Sequence, residues 1–163
     1  MTDLTHVDST GAARMVDVSG KERSQRSALA TGHLVTTPEV VAALRGNSLK
    51  KGDALATARI AGIMAAKRTP DLVPLCHPIA ISGVEVDLQV TDAGVDIAAR
   101  VKTADRTGVE MEALTAVSVA GLTLVDMVKA LDPAAVIADV RVEEKLGGKT
   151  GVWRRAPQEG GDA

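Results

Sequence analysis

The strongest constraint on this chain is a proline-locked segment near its centre. Residues 73–80 read VPLCHPIA and contain the only cysteine, Cys76, and one of three histidines, His77. Pro74 and Pro78 fix their own φ angles and keep the residues before them out of the helical region. The sequence therefore predicts a rigid turn that holds an imidazole in place.

Composition favours one globular domain whose core lacks aromatic rings. The 163 residues are 45% apolar and 25% charged, and Trp153 is the only aromatic side chain. The formal net charge of −2 and the missing aromatic platform argue against a nucleic-acid partner. We expect a single domain over residues 1–155 and a disordered polar tail over residues 156–163.

Several sequence features favour a cytoplasmic protein with no membrane association. A lone cysteine forms no internal disulfide, and the first ten residues lack the basic and apolar regions of a signal peptide. No uninterrupted apolar run approaches the roughly 18 residues of a spanning helix. The histidines, His6, His33 and His77, are scattered without ligand spacing, so neither a metal nor another cofactor is predicted.

Hydrophobic patterns predict four strands. The strand at 83–90 alternates strictly between apolar and polar side chains, and the strand at 95–103 places its valines, isoleucine and an alanine inward. A TDAG turn joins the two into an antiparallel hairpin. Residues 1–23 are polar and are expected to form an arm. The predicted strands lie at 26–36, 83–90, 95–103 and 135–146.

Three helices are predicted between these strands. The first begins at Pro38 and stops at Gly46, and Asp53 caps the second, which covers 54–68. The third is long and is ended by Pro133. Its apolar stripe runs through Val117, Gly121, Leu124, Val128 and Leu131.

The order of strand, helices, hairpin, helix and strand predicts an α+β fold of the ferredoxin-like type. In it an antiparallel sheet carries helices packed on one face. The other face stays uncovered and invites oligomerisation.

Cys76 and His77 cannot form a nucleophile and base with each other. Adjacent side chains of an extended chain point in opposite directions. Cys76 is interpreted as lining that contributes its backbone, since a lone cysteine is more often a small apolar residue than a nucleophile. His77 is a candidate functional residue because the turn fixes it, with an ordinary core histidine as the alternative.

Glu110 and Glu112 flank Met111 at the start of the long helix. Carboxylates are favoured there by the helix dipole whatever their function. The functional alternative is a site for a purine-like edge: Met111 contacts a flat ring, a glutamate accepts from its N–H groups, and the residues Thr107 and Gly108 offer free backbone N–H groups.

Asp126 and Lys129 lie three residues apart on one face of the same helix. Such pairs are usually exposed ion pairs of little energetic consequence. Beside other cations in a cleft, the lysine would instead be a proton donor or acceptor near neutral pH. The sequence leaves both interpretations open.

Five further cations sit at helix ends and glycine turns. Solvated side chains are the default for all of them, and cationic groups around a bound anion are the alternative. The segment GGKTG at 147–151 resembles a phosphate loop, but Glu143 occupies the position of the first Walker glycine. The five are Lys51, Lys67, Arg68, Lys145 and Lys149.

Four stretches of the chain match the pattern of a known family. They read LTHVDSTGAARMVDVSGK, KGDALATARIAGIMAAKRTPDLVPLCHPIAISGVEVD, RTGVEMEALTAVSVAGLTLVDMVKA and GGKTG, and they extend from about residue 4 to residue 152. The chain thereby resembles the cyclic pyranopterin monophosphate synthases, the MoaC family of molybdenum cofactor biosynthesis.

This resemblance implies a ferredoxin-like subunit of a homohexamer, a trimer of dimers with active sites between subunits. The implied substrate is (8S)-3′,8-cyclo-7,8-dihydroguanosine 5′-triphosphate, supplied by a radical-SAM GTP cyclase. The implied products are cyclic pyranopterin monophosphate and pyrophosphate, formed by a lyase.

The resemblance also implies roles for individual residues. Asp126 is the implied acid/base, with Lys129 and Lys51 as lysines of proton transfer. The implied substrate-binding residues are Leu75, Cys76, His77, Met111 and Glu112. Reasoning from the residues themselves adds Glu110 and Lys67 to this set. It also adds Arg68, Lys145 and Lys149 as cations that would stabilise a leaving pyrophosphate.

Two competing hypotheses remain from the sequence. One is a non-catalytic ferredoxin-like module that binds a nucleotide or pterin and regulates a partner. The other is a different nucleotide cyclase or hydrolase, which would require a divalent metal.

Overall fold

A five-stranded antiparallel sheet organises the chain. The computed structural model describes residues 6–157. The strands are β1 Ser24–Val35, β2 Ile81–Val90, β3 Gly94–Asp105, β4 Val136–Leu146 and β5 Trp153–Arg154. Their order in the sheet is β2-β3-β1-β4-β5, and β4-β1-β3-β2 within it is the ferredoxin-like arrangement, which confirms the predicted fold class.

The helices begin where their capping residues predict. The Thr37 side chain accepts from the Val40 N–H just before Pro38, and Asp53 Oδ1 accepts from the Ala56 N–H at 2.9 Å. Both predicted starts are confirmed. The helices are α1 Pro38–Arg45, α2 Ala54–Ala66, α3 Thr69–Leu72 and α4 Glu110–Val128.

The predicted end of the long helix was wrong. Helix α4 stops at Val128, because the N–H groups of Leu131 and Asp132 both donate to the Val128 carbonyl, at 2.8 and 3.0 Å. This turn closes the helix before Pro133 is reached. Leu131 therefore leaves the apolar stripe and is 41% exposed.

Two short elements were not predicted. Helix α3 is a single turn containing Pro70, and β5 forms where Trp153 pairs with Lys145 and Arg154 with Glu144. Neither is long enough to show a periodic pattern. The predicted tail falls outside the described residues except for 156–157, as do residues 1–5 of the predicted arm.

The core lies between one face of the sheet and the helices. Four α4 residues of the predicted stripe are buried against the inward side chains of β1 and β3. The hairpin prediction is confirmed on this face, where Val95, Ile97, Ala99 and Val101 are at most 1% exposed. The opposite face carries polar pairs: a hydrogen bond between His33 and Asp96, and the ion pairs Lys102–Glu85 and Arg100–Glu144.

Helices α2 and α4 are antiparallel and touch through small residues. Ala58, Gly62, Ala65 and Ala66 form the buried side of α2. A Cβ at Gly62 would lie 2.9 Å from the Ala116 carbonyl oxygen, so the two backbones are in direct contact there. This approach holds the turn before α2 beside the end of α4.

Helix α4 is the one element within residues 6–157 that has the length of a membrane span. Its 19 residues and mean hydropathy of 1.5 are sufficient to cross a membrane by length and composition. Half of that segment is nevertheless buried inside the fold, as in the core helix of a globular domain.

Replacing Gly62 with Ala should destabilise the fold. The added methyl group meets a backbone carbonyl that cannot rotate away, and the cost exceeds the roughly 1 kcal/mol gained in helix propensity. We expect a net loss of about 1–2 kcal/mol in the free energy of unfolding, measured by urea denaturation.

Gly121→Ala in α4 is the matched control. Its new methyl would meet the Ile137 side chain, with the nearest atom at 3.1 Å, and that side chain can shift. The control should lose less stability than Gly62→Ala. Equal losses would contradict the proposed backbone contact between α2 and α4.

Candidate active site

A carboxylate at the end of α4 is held by two lysines. Asp126 Oδ1 accepts from Lys129 Nζ at 2.7 Å, and Oδ2 accepts from Lys51 Nζ at 2.9 Å. These hydrogen bonds, that from Lys129 above all, lower the pKa of Asp126 to about 2. The carboxyl group is therefore ionised at neutral pH, and the available protons belong to the ammonium groups.

The turn before α2 places Lys51 at this carboxylate. The Gly52 N–H donates to the Leu49 carbonyl at 3.0 Å, and Gly52 has a φ of +97°, a conformation that glycine favours. Lys51 Nζ also donates to the backbone oxygen of Asp126 at 2.7 Å. The predicted i,i+3 pair is thus part of a three-residue cluster, which we call the lysine–aspartate cluster.

A cavity of about 660 Å³ opens at the other end of α4. It lies between the proline-locked turn, the first turn of α4, the N-terminal arm and the end of β4. Seven residues of the predicted substrate-binding set line it: Leu75, Cys76, His77, Glu110, Met111, Glu112 and Lys145.

The proline-locked turn contributes a fixed imidazole and a protonated thiol. Val73 is extended, at φ −114° and ψ 102°, as its position before Pro74 predicts. His77 Nε2 lies 2.7 Å from the Val16 carbonyl oxygen. Burial raises the pKa of the Cys76 thiol, and the charge of Glu112 adds to the effect. Cys76 lines the cavity, and a raised pKa disfavours the thiolate that a nucleophilic cysteine needs.

Glu112 is the carboxyl group of this cavity best suited to proton transfer near neutral pH. Glu112 is only 2% exposed. This burial raises the pKa of its carboxyl group to about 7, and the charge of Glu110 adds a smaller increase. The residue pattern alone did not distinguish Glu112 from Glu110, whereas the family resemblance implied Glu112. Glu110, by contrast, pairs with Lys145 at 2.9 Å.

A cationic hollow of about 310 Å³ adjoins the cavity. The Nε of Arg106 is buried there without a hydrogen-bond partner. Lys145 and Lys149 were predicted, whereas Lys21, Arg26 and Arg106 were missed, although Arg106 stands directly before Thr107 and Gly108. The basic residues that line the cationic hollow are Lys21, Arg26, Arg106, Lys145 and Lys149.

Two predicted residues are not brought to this site. Lys67 lines a separate hollow with Ile63 and residues of β2, and Arg68 lines neither the cavity nor the cationic hollow. Both are exposed because they follow the end of α2 on its solvent side. Among residues 6–157, no group of three His, Cys, Asp or Glu side chains could hold a metal ion.

The lysine–aspartate cluster and the cavity are far apart within one chain. Asp126 lies 14 positions after Glu112 on one helix, which corresponds to about 21 Å at 1.5 Å per residue. The predicted catalytic residues and the predicted binding residues are therefore each assembled, but at opposite ends of α4.

Comparison with known proteins identifies the family. A sequence model described as the MoaC family matches residues 15–148. This chain belongs to the MoaC family. The match contains the proline-locked turn, all of α4 and four of the five basic residues of the hollow; Lys149 lies one position beyond it.

Curated MoaC relatives are similar over nearly their whole length. A protein of Streptomyces griseus named cyclic pyranopterin monophosphate synthase is 68% identical over 160 residues, covering 98% of this chain and 90% of the relative. One from Nocardioides sp. with that name is 66% identical, at 93% and 95% coverage. Cyclic pyranopterin monophosphate synthase 2 of Mycobacterium tuberculosis is 58% identical, at 94% and 92% coverage.

The raised pKa of Glu112 should make stability fall with rising pH. Between its ordinary value of 4.5 and about 7, the folded protein retains a proton that the unfolded chain releases. Relative to wild type, the free energy of unfolding of Glu112→Gln should therefore increase by on the order of 2 kcal/mol between pH 4 and pH 8. This is less than the full pKa shift would give, because the cavity admits water.

Urea denaturation across this pH range measures the effect. Glu85→Gln, at an exposed glutamate of β2, is the matched control and should follow the wild-type pH profile. A constant difference between Glu112→Gln and wild type at every pH would refute the raised pKa.

Proposed function

We propose that this chain is a cyclic pyranopterin monophosphate synthase of molybdenum cofactor biosynthesis. It would convert (8S)-3′,8-cyclo-7,8-dihydroguanosine 5′-triphosphate to cyclic pyranopterin monophosphate and pyrophosphate. The observation that carries the proposal is the pairing, within a MoaC chain, of a cavity holding a buried glutamate with an adjoining cationic hollow.

The cavity suits the nucleobase part of this substrate. Leu75 and Met111 provide apolar surface for a flat ring, and Glu112 provides a carboxyl group that either donates or accepts a hydrogen bond near pH 7. Opening the five-membered ring and rebuilding it as a pyranopterin requires several proton transfers and no redox step. A group with a pKa near the working pH is the most effective for such transfers.

The cationic hollow suits the triphosphate. Closing the cyclic phosphate displaces pyrophosphate, and the charge that develops on this leaving group requires fixed cations. Arg106 lines the hollow and has a buried Nε without a hydrogen-bond partner, and Lys145 is oriented by Glu110. Lys149 would complete this anion site from the glycine turn.

The lysine–aspartate cluster completes the site from a neighbouring subunit. Within one chain it is too distant from the cavity to meet the same substrate, whereas a closed homo-oligomer brings opposite ends of subunits together. We propose the homohexamer, a trimer of dimers, as this assembly. Lys51 and Lys129 then donate protons, Asp126 orients them, and the neutral amine that a donation leaves behind takes up the next proton.

The wider setting follows from the substrate. A radical-SAM GTP cyclase would supply the cyclised nucleotide, and the single catalytic domain would work in the cytoplasm without a cofactor. In the alternative of a non-catalytic nucleotide-binding module, Asp126→Ala would do little. In the enzyme it abolishes turnover while the substrate still binds.

Mixing two inactive variants tests the composite site. Asp126→Ala and Glu112→Gln should each lower turnover at least about 100-fold. After subunit exchange, sites that combine an intact cavity from one chain with an intact cluster from the other should restore roughly a quarter of wild-type turnover. The measurement is pyranopterin formation from the cyclised nucleotide, followed by mass spectrometry.

Asp126→Ala mixed with Lys129→Ala is the matched control. Both defects lie in the same cluster, so this mixture should stay inactive. Failure of the first mixture to recover, with exchange verified by native mass spectrometry, would rule out a site shared between subunits.

Lys149→Ala should raise KM about tenfold with a smaller effect on kcat, because it removes one of the charges that hold the triphosphate. Lys67→Ala removes the same charge from a hollow outside the site and is the matched control. Steady-state kinetics at fixed ionic strength measures both. Equal KM values for the two variants would exclude Lys149 from the anion site.

A further inference from the structure

The hydrogen bond between His77 and the N-terminal arm determines which ring nitrogen carries the proton. Nε2 lies 2.7 Å from the backbone oxygen of Val16. A carbonyl oxygen only accepts hydrogen bonds, so Nε2 must be the donor. In the neutral ring the lone pair is therefore on Nδ1.

Nδ1 is the atom left available for a ligand. Within residues 6–157, His77 has no hydrogen-bond partner besides Val16. The half-buried ring borders the 660 Å³ cavity, beside Leu75 and Cys76. A ring nitrogen without a partner at the edge of a binding cavity can accept a hydrogen bond or a proton from what enters it.

The arm around Val16 has its own internal structure. Asp17 Oδ1 accepts from the Ser19 N–H at 2.8 Å, and the Lys21 N–H donates to the Val18 carbonyl at 3.0 Å. Val16 and Val18 also line the cavity. The carbonyl that binds His77 therefore belongs to a folded wall of the cavity.

We propose that the arm, through the Val16 carbonyl, is a positioning element that fixes His77 in its Nε2–H form and makes Nδ1 its working atom. This rests on the proposed function, in which Nδ1 accepts a hydrogen bond or a proton from the cyclised nucleotide. A backbone carbonyl has no residue signature, which explains why a side-chain pattern does not reveal this role.

Two substitutions at His77 separate its two nitrogens. His77→Gln places an amide N–H where Nε2 lies, so it keeps the donor to Val16 and loses the acceptor at Nδ1. His77→Asn places an amide oxygen near Nδ1 and loses the contact with Val16. Asn should lower kcat about tenfold, and Gln about 100-fold or more, with smaller changes in KM. Gln turning over as fast as Asn would overturn the proposal.

Deleting residues 1–16 tests the arm itself. The deletion should lower kcat of the wild type about tenfold, but lower kcat of His77→Asn much less, because that variant no longer uses the Val16 carbonyl. Equal losses in both backgrounds would show that the arm acts independently of His77, contrary to the proposal.

The tautomer is measured directly on the free, full-length protein. Two-bond proton–nitrogen NMR correlations of the His77 ring should show a protonated Nε2 and an unprotonated Nδ1 at a pH where the ring is neutral. Finding the proton on Nδ1 would refute the assignment. The spectrum needs no substrate, so it decides the tautomer even if wild-type protein fails to convert the cyclised nucleotide, an outcome that would overturn the proposed function instead.

Discussion

The backbone contact between α2 and α4 is the constraint on which the two functional ends of this molecule depend. Gly62 brings α2 against the Ala116 carbonyl, where even a Cβ would lie only 2.9 Å from the carbonyl oxygen. The turn that carries Lys51 is thereby held at the end of α4, within hydrogen-bonding distance of Asp126. The same contact keeps the other end of α2, which leads into α3 and the proline-locked turn, close to Glu112. One helix pair thus positions both halves of the proposed site.

Two acidic residues on α4 show how position alone separates their chemistry. Asp126 is exposed and held by two ammonium groups, so its pKa falls to about 2. Glu112 is buried beside a second carboxylate, and its pKa rises to about 7. At neutral pH the first is a fixed anion and the second is close to half protonated. In the proposed function, this contrast favours Glu112 for proton transfer at the cavity and, at the other end, the lysines that Asp126 orients.

The fold was predictable because its patterns are long and local. Strict alternation in the hairpin and the apolar stripe of α4 specify buried faces, and Pro38 and Asp53 specify helix starts. The end of α4 was not predictable from Pro133, since the closing turn uses backbone hydrogen bonds to Val128 that any residues could make. Strand β5 is too short to carry a period.

The site was predictable only where side chains lie close together in sequence. Residues of the proline-locked turn and of the first turn of α4 were found because two short segments contain them. Arg26 and Arg106 were missed because the pairing of β1 with β3 brings their strand ends together across the sheet. Lys67 and Arg68 were predicted beside the other cations but line neither the cavity nor the cationic hollow, because a basic helix end looks the same in sequence whether it faces a cavity or the solvent.

The separation of the two half-sites has a chemical consequence for the isolated chain. In the proposed assembly, the lysines and Asp126 meet substrate only where another subunit presents its cavity. Until then Asp126 is neutralised by Lys51 and Lys129, and a carboxylate with a pKa of about 2 is a weak base. A lone subunit could therefore hold the cyclised nucleotide in its cavity without the groups that move the later protons. Oligomer formation would then be a condition for turnover, because each complete site contains residues from two chains.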